Sequence, residues 1–275
     1  MSLVWAGLVV VAATALAVAA MLFVRRRAPE GGYFEDGDRA AGVFGVLATG
    51  FSVMLGLIVV LAFTSYDQSR SGAETEARIV TQQFETAQFL PAAVRGPLGD
   101  QLICYARSVA YEEWPRMTAG EGAPAANRWA VPLFRTLKAA RPVAPAEQAA
   151  FSKWMDQTSE RQEARQDRLY GADGVIPTTL WIVLLFTALV IFVFMLFFAD
   201  SGERAVVQAV LVGSVVAVIV ATLFVIRFLD DPYPTRVGSL EPVAMARALT
   251  NLEFARSAVG RTSPLPCTDT GAPNA

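Results

Sequence analysis

The sequence predicts an all-α integral membrane protein with four transmembrane helices and a helical extramembrane bundle between spans two and three. Three observations predict it. Hydrophobic residues make up 54% of the 275 and charged residues only 17%, where a soluble domain carries about a quarter charged. The apolar excess is gathered into four blocks, each long enough to cross a bilayer. No stretch shows the alternating pattern of a strand.

Leu3 to Val24 is the first span. The five residues before its core carry no positive charge and the apolar run is long for a secretory signal, so it reads as a retained span stopped by Arg25, Arg26 and Arg27. Residues 28–40 form a short Gly-rich acidic loop in which Asp38 is either the N-cap of the next helix or merely solvated. Ala41 to Asp67 is the second span, without a charge before Asp67. Its Gly42, Gly45, Gly50 and Gly56 are the small residues expected where membrane helices pack closely.

The helix does not stop at the membrane. Tyr66, Ala73, Ala77, Val80, Phe84 and Ala87 continue at helical spacing until Pro91, with Arg70 breaking the stripe. Leu98, Leu102, Tyr105 and Val109 mark a second amphipathic helix, closed near Trp114-Pro115. Residues 116–127 read as a loop, and two further helices are expected over Trp129–Ala140 and Ala146–Tyr170. Val175 to Ala199 is span three, with Pro177 at its start, where a missing N–H costs little. A tight turn at Asp200–Ala205 joins it to span four, Val206 to Phe228. The tail opens with Asp230-Asp231-Pro232-Tyr233-Pro234, holds one helix near Glu241–Ala258, and ends in a Pro/Ser/Thr/Gly stretch that reads as disordered. The organisation is therefore residues 1–67 (spans one and two), 68–174 (helical bundle), 175–228 (hairpin of spans three and four) and 229–275 (extramembrane tail).

Several chemistries are excluded or disfavoured. With no histidine, His triads, His-ligated metals and His bases are out. A net charge of −2 gives no general attraction to nucleic acid. Cys104 and Cys267 form no CxxC pair, so a thiolate metal cluster is not expected. They are either a candidate disulfide, if their side is oxidising, or a buried free thiol and an incidental tail cysteine. Glu112-Glu113 is the compact acidic motif of the bundle, but adjacent glutamates point apart on a helix, so it reads as a solvated helix end. Apart from Asp67 and Arg227 at their ends, no ionisable residue lies inside spans two to four, as a proton relay or ion-coupled transporter would need. Tyr66-Asp67, at the membrane exit, is an interfacial anchor or a functional exit motif. No catalytic residue, cofactor or metal is expected, and the chain reads as a non-enzyme.

The segment Ser52-Val53-Met54-Leu55-Gly56-Leu57 through Ala62-Phe63-Thr64-Ser65-Tyr66-Asp67 resembles the second membrane helix of bestrophins, where a Leu-Gly pair lies mid-helix and aromatics follow at the exit. Leu229-Asp230-Asp231-Pro232-Tyr233-Pro234 is similar to the bestrophin Asn-Pro-Phe-Gly segment. Over about residues 3–250 the chain resembles a bacterial bestrophin-like family of four-span proteins of unknown function. The matching pieces are Asp38 to Gly42, Gly50 to Tyr66, Glu113-Trp114-Pro115 with Met117 and Gly120, and Asp231-Pro232-Tyr233.

The resemblance implies a homo-oligomer in the bacterial inner (plasma) membrane, a pentamer if it extends to bestrophins themselves, passing small anions through a pore lined by span two. The constriction aligns with Thr49, Val53 and Leu57, at i, i+4 and i+8 on one helix face. Thr49 is polar where the family is apolar, and Thr235-Arg236-Val237-Gly238 replaces the acidic calcium-binding run, so no calcium site carries over. The two lines of reasoning disagree on orientation. Bestrophins place the inter-span domain in the cytosol. The charge rule, led by Arg25–Arg27, puts the 68–174 bundle and both termini outside it. The leading function is a channel; the alternative is a non-conducting membrane protein whose bundle binds a partner or senses the envelope.

Overall fold

The computed structural model describes residues 3–121 and 127–274. The helices are α1 (Leu3–Arg25), α2 (Gly37–Ala87), α3 (Ala92–Ser108), a π-helical segment (Val109–Glu113), α4 (Trp114–Thr118), α5 (Ala130–Lys138), α6 (Pro145–Tyr170), α7 (Thr178–Phe197), α8 (Ala205–Asp230) and α9 (Val243–Ala258). Four of these, α1, α2, α7 and α8, are long and apolar enough to span a membrane. The described residues hold no strand, only a single bridge between Cys267 and Pro273. The chain divides into two compact units, Met1–Ser65 with Gly174–Asp230 and Tyr66–Asp173 with Asp231–Ala275.

In the first unit, α1 packs on α8 through Ala17, Met21 and Val212, flanked by Leu22, Phe192 and Leu196. One end is closed by the two short loops. The Arg25 guanidinium donates to the Ser201 carbonyl at 3.0 Å and to that of Glu203 at 2.5 Å. Asp200 accepts from the Gly31 and Gly202 amides. Phe34, Phe44, Phe194 and Phe198 stack there at centroid distances of 5.0–5.8 Å. The N-cap of α2 is Asp36, which accepts from the Arg39 amide at 3.0 Å. Asp38, the expected cap, lies one residue inside the helix, in its first turn.

The second unit is a water-facing helical bundle. Its core gathers Ala77, Val80, Phe84 and Ala87 from α2, and Leu98, Leu102, Tyr105 and Val109 from α3 and the π segment. These are the residues of the two amphipathic stripes. Trp154 of α6 and Leu249 and Leu252 of α9 complete it. At Gly72 the backbones of α2 and α6 come so close that a Cβ would run into the main chain of Ala164 and Arg168.

Three expectations about this unit are corrected. Trp114-Pro115 does not close the second helix: the chain stays helical from Ala92 to Thr118. Proline lacks the N–H that would bond back to residue 111, and the widened π turn just before it absorbs that loss. The loop expected over 116–127 begins only after Thr118, and its residues 122–126 lie outside the described residues. The end of the tail is not disordered. Cys267 is disulfide-bonded to Cys104, the Gly271 carbonyl accepts from the Trp129 indole at 2.7 Å, and Arg107 reaches Asp269. Composition alone missed this because the anchor is covalent.

Candidate functional site: the span-two face and the buried charge network

Within the first unit α2 has two faces. Phe51, Leu55, Ile58 and Ala62 are buried, at spacings of four, three and four, which is one helix face. Thr49, Val53 and Leu57 lie opposite and are exposed, Val53 at 58% and Leu57 at 68% of their surface. Val46, Val60 and Phe63 extend the exposed stripe. Ser52 and Thr64 return their hydroxyls to the Ala48 and Val60 carbonyls, so these two side chains are satisfied by their own helix. Gly42, Gly45, Gly50 and Gly56 were expected in close packing. A Cβ at any of them would meet no other part of this chain, so whatever approaches them is not an intrachain neighbour.

The second unit holds a buried charge network that no stripe in the sequence announces. Glu76 of α2 and Arg168 of α6 are both fully buried, paired at 2.5 Å between Oε2 and Nε. Arg168 Nη2 also donates to Glu113 Oε2 at 2.7 Å. Glu113 is 3% exposed; its other oxygen accepts from Asn127 at 2.9 Å and Arg165 at 3.2 Å. The reading of Glu112-Glu113 as a solvated end is therefore wrong for Glu113: the π turn carries it inward, while Glu112 stays at the surface with Arg128. Tyr105 donates to Glu76 Oε1 at 2.6 Å. Arg161 lies over the Tyr105 ring, 4.7 Å from its centroid, and donates to Gln83 at 2.7 Å.

The charges tune each other. Burial pushes the Glu113 carboxyl up, but Arg168 and Arg165 outweigh it and hold it below its ordinary value. Burial opposes the charge of Arg168, yet Glu76 and Glu113 raise its pKa above normal. Burial, then the Glu76 charge, keeps the Tyr105 phenol protonated well past its usual range.

The post-span turn meets this network. Tyr233 is buried, donates its hydroxyl to the Arg168 carbonyl, and sits edge-on to Trp114 at 5.5 Å. Burial pushes its phenol up to about 12. Trp114 in turn donates to the Leu240 carbonyl at 3.2 Å, and Tyr66 to that of Gly238 at 2.9 Å. Asp231 lies 3.9 Å from Arg236. Asp230 has a different duty in the first unit: its Oδ1 accepts the Val175 and Ile176 amides just ahead of α7. Asp67 is exposed on α2. Glu113, Trp114 and Met117, and from far along the chain Tyr233, thus converge on one residue, Arg168, whose Nη1 lies 3.9 Å from the Met117 sulfur and whose carbonyl takes the Tyr233 hydroxyl.

This arrangement is that of an all-helical protein with four candidate membrane spans and a helical bundle between spans two and three. The sequence matches the Bestrophin-like domain over residues 3–237, and the chain belongs to the Bestrophin-like family. No curated protein matches it. Among solved structures, two single-substitution forms of a bacterial bestrophin homolog from Klebsiella pneumoniae are similar in fold. One has a TM-score of 0.63 at 12% identity, covering 92% of this chain and 97% of that one. The other has 0.62 at 11%, covering 92% and 99%. A structure described as a membrane protein gives 0.63 at 13%, covering 96% and 99%. At such identities the likeness concerns the fold alone.

Proposed function

We propose that this chain assembles into a homo-oligomeric membrane channel, a pentamer by analogy with bestrophins, which passes small anions through a pore lined by span two. The observation that carries the reading is the outward face of α2. Thr49, Val53 and Leu57 form a charge-free stripe turned away from the helix's own packing face, beside four glycines that nothing in this chain covers. Copies ranged about an axis would bring these stripes together. A ring of Val and Leu side chains would then form a neck that gates by dewetting. Tyr66 and Asp67 would stand just beyond it. The bundle has a scaffolding role and no enzymatic one.

Purified protein reconstituted in planar bilayers tests this directly. Val53→Ala and Leu57→Ala are expected to raise or ungate the anion current by widening the neck. A preparation silent under all conditions, with both variants equally silent, would sink the channel. It would leave the non-conducting partner-binding or envelope-sensing reading.

A further inference from the structure

The short loops at 26–36 and 198–204 share the end of the first unit where Arg25 ties them together. Arg25, Arg26, Arg27, Arg39 and Arg204 all flank spans at that end. By the parity of the crossings, residues 66–173 and 231–274 lie on the other side. Of the arginines near the spans on that side, Arg70 pairs with Glu74 at the surface and Arg78 is exposed, but the others are engaged inside the bundle. Arg161 and Arg168 are buried, Arg165 and Arg168 are paired with Glu113, and Arg236 lies near Asp231. Folded domains cross membranes largely regardless of charge. The densest juxtamembrane charge is then the Arg25–Arg27 triplet, and the orientation rule favours the cytoplasm for that end.

The bundle supplies a second and independent observation. The two cysteines of the chain are joined to each other, and both are buried. Around Cys267 the segment after α9 is built to dock. Gly271 takes a φ of +85° and lies so close to Ser108 that a Cβ would strike its backbone. Trp129 donates to the Gly271 carbonyl, and Asn274 folds back on Leu265 and Pro266. Asp100 holds the start of the segment through Arg256 at 2.8 Å and Arg261 at 2.7 Å. Disulfides persist in oxidising compartments and are rare in a reducing cytosol.

We infer that residues 259–274 form a strap held shut by the Cys104–Cys267 disulfide, and that the bundle it closes lies on the oxidising side of the membrane. Closure is a thiol–disulfide exchange. One cysteine thiolate attacks the disulfide of an exchange protein in that compartment and expels one of its thiolates. The second cysteine then attacks the mixed disulfide. The Sγ–Sγ bond forms, and the donor leaves as a dithiol carrying the two electrons. Once shut, the buried bridge is shielded from reductant by the strap itself.

The test uses the full chain in living bacterial cells. Cells are acid-quenched, dissolved in detergent and alkylated with a polyethylene-glycol maleimide, with or without prior reduction. The expected result is no adduct before reduction and two after it, with Cys267→Ser taking one adduct without reduction. Two adducts on the unreduced wild-type chain would overturn the inference. Orientation is read separately from C-terminal fusions. An active phosphatase, which needs an oxidising compartment, supports the strap. A fluorescent protein that matures only in the cytosol, glowing beside a dead phosphatase, overturns it even if the bridge is present. Neither readout depends on conduction, so failure here leaves the channel reading where it stands.

Discussion

The first unit buries Leu184 and Ile191 of α7, and its described buried polar residues are Ser65, Gln208 and Asp230, whereas the bundle's interior holds the oppositely charged Glu76, Glu113, Arg161 and Arg168. The difference follows the solvent. In lipid, an aliphatic side chain gains little by leaving the bilayer for another helix. The first unit can therefore leave Val46, Val53, Leu57, Ile182 and Phe186 outward at no cost. In water the bundle must bury its apolar stripes, and aliphatic packing alone tolerates many arrangements. A charge network satisfied in one geometry selects among them. The bundle's interior thus rests on a few charged side chains, while in the first unit the polar ties of Arg25, Asp200 and Asp230 hold loops and helix ends.

The largest expected effect breaks that contrast at its centre. Arg168→Met leaves two buried carboxylates facing each other, which should cost the bundle about 3–5 kcal/mol. Urea unfolding of detergent-solubilised protein, followed by the fluorescence of Trp114, Trp129 and Trp154, measures it. Helical signal from the four spans should persist through that transition. A variant that melts like wild type would show that packing, not the network, specifies the bundle.

Removing the bridge with Cys104→Ser comes next, at about 2–5 kcal/mol, the usual cost in a disulfide-bonded domain. Its signature differs, because residues 259–274 should become open to protease before α2 and α3 unfold. Equal protection in wild type and variant would mean that the polar anchors hold the strap unaided.

Alkali gives a smaller effect. The Tyr233 phenol is raised from 10.0 to about 12 in the folded state. Its contribution is therefore whole below pH 10 and is lost as pH rises towards 12, about 2–3 kcal/mol in all. Tyr233→Phe should flatten the alkaline slope of the bundle's stability; an unchanged slope would place the titration elsewhere. Glu113 acts with the opposite sign. Its folded value is depressed, so its contribution is present above the ordinary carboxylate range and fades as pH falls through the folded value.

The smallest effect sharpens the comparison from the other side. Leu57→Ala, on the outward face of α2, should change monomer stability by under about 0.5 kcal/mol while altering conductance. A large loss of oligomer in native electrophoresis would instead assign that face to subunit packing.

What the sequence makes legible follows the same division. An apolar run of span length has few readings, so α1, α2, α7 and α8 are found within a few residues. The Leu98, Leu102, Tyr105 and Val109 stripe likewise shows its core face. Arg165 and Arg168 give no sign in the sequence of the network they join, because their partners, Glu76 and Glu113, lie more than fifty residues away. The Trp114-Pro115 stop fails because a π turn leaves no compositional mark. Of the site residues, Thr49, Val53 and Leu57 do share an exposed face, a matter of helical period alone; what meets that face lies outside a single chain. Tyr233 was singled out by the resemblance, but its tie to Arg168 only a folded chain reveals.

The bridge has a consequence for biosynthesis. Its cysteines are 163 residues apart, and α7 and α8 lie wholly between them. The covalent ring therefore runs twice through the bilayer. It cannot close on a chain in which only one of these two spans has crossed. A chain whose last span stalls would strand Cys267 across the membrane from Cys104 and keep two reactive thiols. The bond therefore reports on threading: it is absent from molecules in which one of the two later spans has failed to cross.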